Sequence, residues 1–529
     1  MEGALRSTLV PSPFALRARR VARPGRNCWR LAAADRVAFL VDAASYFGAL
    51  AAALERAERS VFILGWDIHS RVRLDARVAR GTEIGALLFD LVRRRPELRV
   101  HVLDWDFSFL LMGTRELFPW LRLDLGAARR LRFLLDSRHP VGGCHHQKLV
   151  VIDDALAFVG GIDITANRWD TPEHRLEDAR RKNPWGRRYA PYHDVQAAVD
   201  GEAARCLGEL ARERWRRAGG SLEPDDAEPR EPERDVWPQT LRTDLHAVQV
   251  AIARSEPAYD GRPGVREIER LYLDAIAAAR RSIYLENQYL SSRSIGDALC
   301  ASLAARRGPE IAIVSPRVCA GWLEEGTVGL LRRRLAGRLR AANRYGRLRL
   351  LYPRLPGDRA SLHVHSKLMI ADAQSVRVGS ANLSNRSMGL DTECDISIEA
   401  AGDPAAAAGI RAFRDRLLAE HLGVAPAQVA HAMRATSDGL FAALDRLGGR
   451  ERTLAPLETS LPAWVDRIVP SSMGDPESPF TSLRALETYS PDLLRDPHRR
   501  TLVPLLLAGA ALAFLARRWL RRSANVQSD

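Results

Sequence analysis

The feature that most limits what this chain can fold into is a motif that it carries twice. HHQKLVVIDDALAFVGGID, from His145 to Asp163, and HVHSKLMIADAQSVRVGSAN, from His363 to Asn382, both read H-x-K-x4-D-x6-G. The first copy supplies His146, Lys148 and Asp153, and the second His365, Lys367 and Asp372. In an extended segment, residues two apart share a face, so each His and Lys project together, and the apolar run after them reads as a buried strand. An imidazole beside a fixed ammonium suits attack on a phosphate ester: the ring is nucleophile or proton donor, and the cation neutralises the phosphoryl oxygens. Asp153 and Asp372 stand an odd number of places beyond their Lys, which predicts that they point from the far side of the strand and act structurally.

Of 79 basic residues only Lys148, Lys182 and Lys367 are Lys. Random filling would place Lys at both motif positions about one time in a thousand, so a compact ammonium, not a guanidinium, is required there. The repeat extends beyond the motif. Ala57 to Ile63 lines up with Ala279 to Leu285, and LRFLLD at Leu131 with LRLLYP at Leu348, at nearly the offset of the motifs themselves. A helix from Ser45 to Glu58 precedes a strand from Ser60 to Leu64, and helix then strand recurs between Arg266 and Leu290. Such alternation predicts an α/β fold of two similar halves, with mostly parallel sheets covered by helices.

Residues 1–27 form an Arg-rich arm with no secretory signal, 28–217 the first half, 218–244 a Pro-rich and acidic linker, and 245–425 the second half. Residues 426–500 read as an extension with a helix from Val429 to Leu447. Residues 501–529 close the chain with the apolar run Leu502 to Ala516 between Arg pairs. That run spans about 22 Å as a helix, short of the roughly 30 Å hydrocarbon core, but its flanking Arg and Trp519 suit a membrane anchor. The net charge of +14 favours an anionic partner, either membrane surface or nucleic acid. Six scattered cysteines have no metal-ligand spacing and read as reduced and structural. Cys144, two residues before His146, has no counterpart in the second copy and is a bystander.

Two carboxylates open alternating runs downstream of the motifs, Asp194 in YHDVQAAVDG and Glu393 in GLDTECDISIEA. Asn382 is placed to hydrogen-bond a phosphoryl oxygen, and Ser380 to assist it. Asp163 stands at the matching position of the first copy, where an anion would repel phosphate, and takes no such role.

With its duplicated HKD motif the chain, over roughly residues 25 to 425, resembles the phospholipase D superfamily. GGID followed by NRWD, and IYLENQY from Ile283, resemble its lipid-cleaving branch. The resemblance implies two halves about a pseudo-twofold axis and a single active site at their seam. It implies that Asp194 orients His146 and Glu393 orients His365, that His146 is the nucleophile, and that Glu286, Asn287 and Gln288 line or support the rim. The expected function is cleavage of a glycerophospholipid headgroup ester through a phosphohistidine, giving phosphatidic acid with water or a new phosphatidyl ester with an alcohol. No cofactor or metal is expected. The expected partners are a glycerophospholipid and an anionic membrane surface, without nucleic acid, for a monomer held at a bacterial inner membrane with its catalytic part in the cytoplasm. The alternatives are cardiolipin synthase, an HKD-type nuclease, which calls for basic and aromatic residues interleaved along a groove, and a scaffold with a dead site, which two complete motifs oppose.

Overall fold

A computed structural model describes residues 20–75, 82–106, 130–227, 233–319, 328–357, 362–458 and 475–478. The first run of elements is β1 (Arg30–Val41), α1 (Asp42–Leu54), β2 (Ser60–Leu64), α2 (Ile84–Arg94), β3 (Arg99–Trp105), β4 (Leu131–Asp136), β5 (Leu149–Ile152), β6 (Leu156–Gly160), β7 (Tyr192–His193), β8 (Val195–Asp200) and α3 (Gly201–Arg217). The second is β9 (Leu245–Glu256), β10 (Val265–Arg266), α4 (Glu267–Ala278), β11 (Ser282–Asn287), α5 (Arg293–Ala304), β12 (Glu310–Val314), α6 (Leu330–Ala342), β13 (Leu348–Arg354), β14 (His363–Val364), β15 (Lys367–Ala371), β16 (Ser375–Gly379), β17 (Glu393–Glu399) and α7 (Pro404–Leu422). After them come α8 (Pro426–Ala435), α9 (Leu440–Leu447) and β18 (Thr453–Pro456).

One sheet runs through both runs in the order β18-β13-β12-β11-β15-β16-β17-β9-β1-β8-β6-β5-β2-β3-β4. Read outward from the β9/β1 seam, the two sides place corresponding elements in the same order. β1 and β9 pair antiparallel there, with Ala34 opposite Val248 and Ala32 opposite Val250. The sheet is mixed, not mostly parallel as the helix and strand alternation suggested. Among its described strands only β2, β3 and β4 and their counterparts β11, β12 and β13 pair in parallel, as does the separate two-stranded β7/β14 sheet. The reason is local: each motif strand turns straight back through a tight hairpin instead of crossing over through a helix.

That hairpin explains the motif Asp. Asp153 and Asp154, like Asp372 and Ala373, have positive φ (51, 54, 54 and 50°), which gives the turn the twist a hairpin needs. The Asp153 carboxylate accepts the backbone N–H groups of Glu58, Arg59 and Ser60 at 2.7–2.8 Å. Asp372 accepts those of Arg280, Arg281 and Ser282 at 2.7–3.1 Å. Each Asp thus pins its hairpin to the start of β2 or β11. The motif Gly has its own reason: a Cβ on Gly379 would strike the Asp395 carboxylate, and one on Gly160 would come within 2.5 Å of Val195 O.

Along β5, Leu149 and Val151 enter one core and Val150 and Ile152 the other, as the period of two requires. One face of the sheet is a core common to both runs, filled by α3 and α7, where Phe413 stacks on Phe39 at 4.2 Å. The other face carries α1 and α2 on one side and α4, α5 and α6 on the other. α7 has the ends its sequence prescribes: Asp403 accepts from Ala405 N, Pro404 opens the first turn, and Gly423 closes it with φ 62°.

The expected single helix Val429 to Leu447 is two, α8 and α9, broken where Ser437 and Asp438 take positive φ. The first helix begins at Asp42, earlier than Ser45. Within the 218–244 segment, Val236 and Trp237 are buried against the first run's core. Most of the N-terminal arm and the whole apolar run Leu502 to Ala516 lie outside the described residues. No described helix is long and apolar enough to cross a membrane.

Candidate active site

His146 and Lys148 lie just ahead of β5, and His365 just ahead of β15, of which Lys367 is the first residue. Each His backbone N–H crosses to the other run: His146 N donates to Thr392 O at 3.0 Å and His365 N to His193 O at 2.8 Å. The residue after each of these carbonyls is the acid. The side chains consequently pair across the seam, His146 Nδ1 with Glu393 Oε2 at 2.9 Å and His365 Nδ1 with Asp194 Oδ2 at 2.6 Å. This reverses the expected partners. Asp194 orients His365 and Glu393 orients His146, because the strand that presents each acid is zipped to the segment before the opposite motif.

The carboxylates are almost fully buried, whereas the His146 and His365 side chains keep 13% and 10% of their surface, an open edge for a reactant. Lys148 Nζ donates to His146 O at 3.0 Å and pairs with Asp163 at 3.1 Å. Lys367 Nζ donates to His365 O and to Gln288 Oε1 at 3.3 Å, and lies 3.1 Å from His365 Nδ1. Burial, then Lys148 and Lys367, hold His146 well below the usual histidine range. Burial, then Lys367 and Arg168, with Lys148 further off, do the same for His365. Each imidazole feels the ammonium of the other run, as one shared site demands. Burial pushes Glu393 up to about 8 and Asp194 up to about 6, and brings Lys367 down to about 7.

The remaining expected residues divide. Asn382 is buried, and its Oδ1 lacks a hydrogen-bond partner among the described residues; donation to a phosphoryl oxygen would fall to its Nδ2. Gln288 touches Lys367. Three others are not at a rim. Ser380 donates to Glu393 Oε2 at 2.5 Å and steadies that acid. Asn287 Oδ1 accepts Leu383 N at 2.9 Å and fixes the loop after β16. Glu286 is fully buried, bonded to His193, His421, Tyr284 and Ser366. Strand alternation accounts for this: IYLENQY lies inside the sheet and only its end reaches the site. Asp163 is the counterion of Lys148. Burial and Asp391 raise the Cys144 thiol well above its ordinary range, which keeps it protonated and inert.

Thr392, Trp66 and Arg168 carry no repeat signature and were not legible. Thr392 accepts His146 N, the Trp66 ring meets His146 edge-on at 6.2 Å, and the Arg168 guanidinium sits 5.0 Å over the Tyr192 ring. Arg168 belongs to the NRWD run, which drew notice only as a resemblance.

Two family models match the chain, one described as Phospholipase D over residues 136–302 and one as Cardiolipin synthase, PLD-like domain, over residues 272–416. Phospholipase D A of Dictyostelium discoideum is 25% identical over 74% of this chain and 36% of its own length. Phospholipase D alpha 2 of Oryza sativa subsp. japonica is 24% identical over 70% of this chain and 63% of its own length. The chain therefore spans less than two thirds of these relatives. A phosphatidylserine synthase structure from Haemophilus influenzae aligns over 78% of this chain and 97% of its own, with a TM-score of 0.49 and 13% identity. Two HKD motifs that bring their His and Lys pairs together across a seam, with both family models falling on them, make this chain a member of the phospholipase D superfamily.

Proposed function

We propose that the chain is a phospholipase D-type phosphodiesterase and phosphatidyltransferase acting on the headgroup ester of glycerophospholipids. The observation that carries the reading is the crossed pairing: each imidazole has Nδ1 held by a buried acid and its other edge open beside an ammonium. A ring so held presents an unprotonated Nε2 to phosphorus. In the proposed double displacement, His146 Nε2 attacks phosphorus while His365 gives a proton to the departing alcohol oxygen. His365 then takes a proton from water or a second alcohol, which displaces His146. Lys148, Lys367 and Asn382 surround the phosphoryl oxygens. With the site empty, burial and two ammonium groups hold both rings neutral; a phosphodiester anion opposes those cations and raises His365, so that the acid acquires its proton together with the substrate.

The two halves are read as copies of one ancestral unit about a pseudo-twofold axis, supported by the matched strand order on either side of the seam. The run Leu502 to Ala516 is proposed to hold the enzyme at its lipid surface. A chain ending at residue 500 is then expected to float less with anionic vesicles than the full chain does.

The deciding assay offers phosphatidylcholine vesicles, phosphatidylglycerol vesicles and single-stranded DNA in parallel, with ethanol present. Phosphatidylethanol is the expected product. Cleavage of DNA alone would replace this reading with a nuclease, and cardiolipin from phosphatidylglycerol with no action on phosphatidylcholine would make the chain a cardiolipin synthase.

A further inference from the structure

Next to the crossed pairs, four side chains from distant stretches converge: Asp42 at the start of α1, His174 ahead of β7, His193 in β7, and Glu420 near the end of α7. One ligand-type atom from each lies within 4.8 Å of all the others. His193 Nδ1 is 2.7 Å from Glu420 Oε1 and 3.2 Å from Asp42 Oδ1. His174 Nε2 is 2.9 Å from the same Glu420 oxygen and 3.6 Å from Asp42 Oδ2. Ligands at about 2.0–2.1 Å from a tetrahedral zinc ion stand about 3.3 Å apart, a spacing in the range of these approaches, which reach Asp42 through either of its oxygens.

Three observations mark a ligand set. First, both oxygens of Asp42 and Nδ1 of His193 are buried without a hydrogen-bond partner among the described residues, while Glu420 Oε1 is hydrogen-bonded to His174 Nε2. Asp42 is 0% exposed, and the two imidazoles at 3.2 and 3.6 Å are what face its charge. Second, the far nitrogen of each imidazole is held by a carboxylate: His174 Nδ1 by Asp170 at 3.0 Å and His193 Nε2 by Glu286 at 2.8 Å. That outer carboxylate is what fixes the ring of a metal-bound histidine. Third, the outer acids have partners of their own, Asp170 with Arg181 at 3.0 Å and Glu286 with His421 at 3.0 Å. Were both imidazoles neutral, as metal ligands must be, the two inner carboxylates would leave a charge that a divalent cation cancels.

We propose that Asp42, His174, His193 and Glu420 bind a structural transition-metal ion, zinc by the nature of its ligands. His193 closes β7 and is followed directly by Asp194, and Glu420 lies in the last turn of the helix that covers both runs. The ion fastens that helix to the strand presenting the acid of His365. It takes no part in the phosphoryl chemistry, and the proposal does not rest on the reaction assigned above.

The full chain, purified without chelator, is expected to hold about one zinc per molecule by plasma mass spectrometry. Stripping the ion should lower the melting temperature, and added Zn2+ should restore it. Asp42→Asn and Glu420→Gln, which keep shape and remove charge, should each lower zinc retention by at least about tenfold. Should these variants fail to fold, the wild-type chain loaded with Co2+ still decides: four-coordinate visible bands without thiolate charge transfer are expected. A folded wild-type chain with no zinc above background and no thermal response to Zn2+ or Co2+ overturns the proposal, since the two imidazoles would then carry protons in place of a metal. Thiolate charge transfer, or full zinc retention in the folded variants, overturns it equally.

Discussion

His146 Nδ1 lies 2.9 Å from Oε2 of Glu393, a residue 247 positions further along the chain, and neither motif His finds its acid within its own run. The partition makes each imidazole and acid pair of the motifs a product of the seam. Removing the acid should leave the His in place but without its tautomer.

Glu393→Gln is accordingly expected to slow labelling of His146 by a phosphodiester about 10²- to 10⁴-fold, the scale lost when a positioned proton-transfer partner goes. Rapid-quench trapping of the labelled peptide measures it. The ring signals of His146, and not those of His365, should shift in the variant spectrum; the opposite pattern would mean that the pairs are uncrossed.

Stability should carry the imprint of the same carboxyl. Burial raises Glu393 in the folded state to about 8, above its ordinary value of 4.5. A raised folded value means that its contribution is complete below about 4.5 and is lost as pH climbs through about 8. The melting temperature of the wild type should therefore fall between pH 5 and pH 9 by more than that of Glu393→Gln, which cannot ionise. Equal falls in the two proteins would show that Glu393 titrates as an ordinary exposed acid.

The motif Asp has a different signature. Asp153→Ala strips three backbone N–H groups of their acceptor and should destabilise the fold by ~3 kcal/mol, whereas activity per folded molecule changes little. Denaturant melts combined with active-site titration separate the two quantities. Asp372→Ala should behave alike.

Lys148→Arg keeps the charge but puts a planar fork where a compact ammonium meets Asp163 and the His146 carbonyl. Turnover is expected to drop about a hundredfold in a protein that still folds. Wild-type turnover in this variant would mean that the scarcity of Lys in the chain carries no functional meaning.

The reactive groups were legible in the sequence because they repeat: His146 with Lys148 and His365 with Lys367 stand in identical local patterns, and local patterns are what strand geometry propagates. The odd spacing of Asp153 and Asp372 from their Lys supported a structural role for them. The acids Asp194 and Glu393 were also visible, as the openings of alternating runs. Which acid serves which His was decided by the β7/β14 pairing and the His145 to Thr392 bridge, contacts between stretches that nothing in the linear order connects. The same holds for Asp42, His174, His193 and Glu420, whose spacings follow no ligand pattern and which become neighbours only when α7 closes over the first run. Periodicity along a strand is set by its own backbone, so the chain alone determined which side chains share a face. Partnership across a seam depends on how the two sides of the sheet are joined, so the tertiary structure decided what those side chains face.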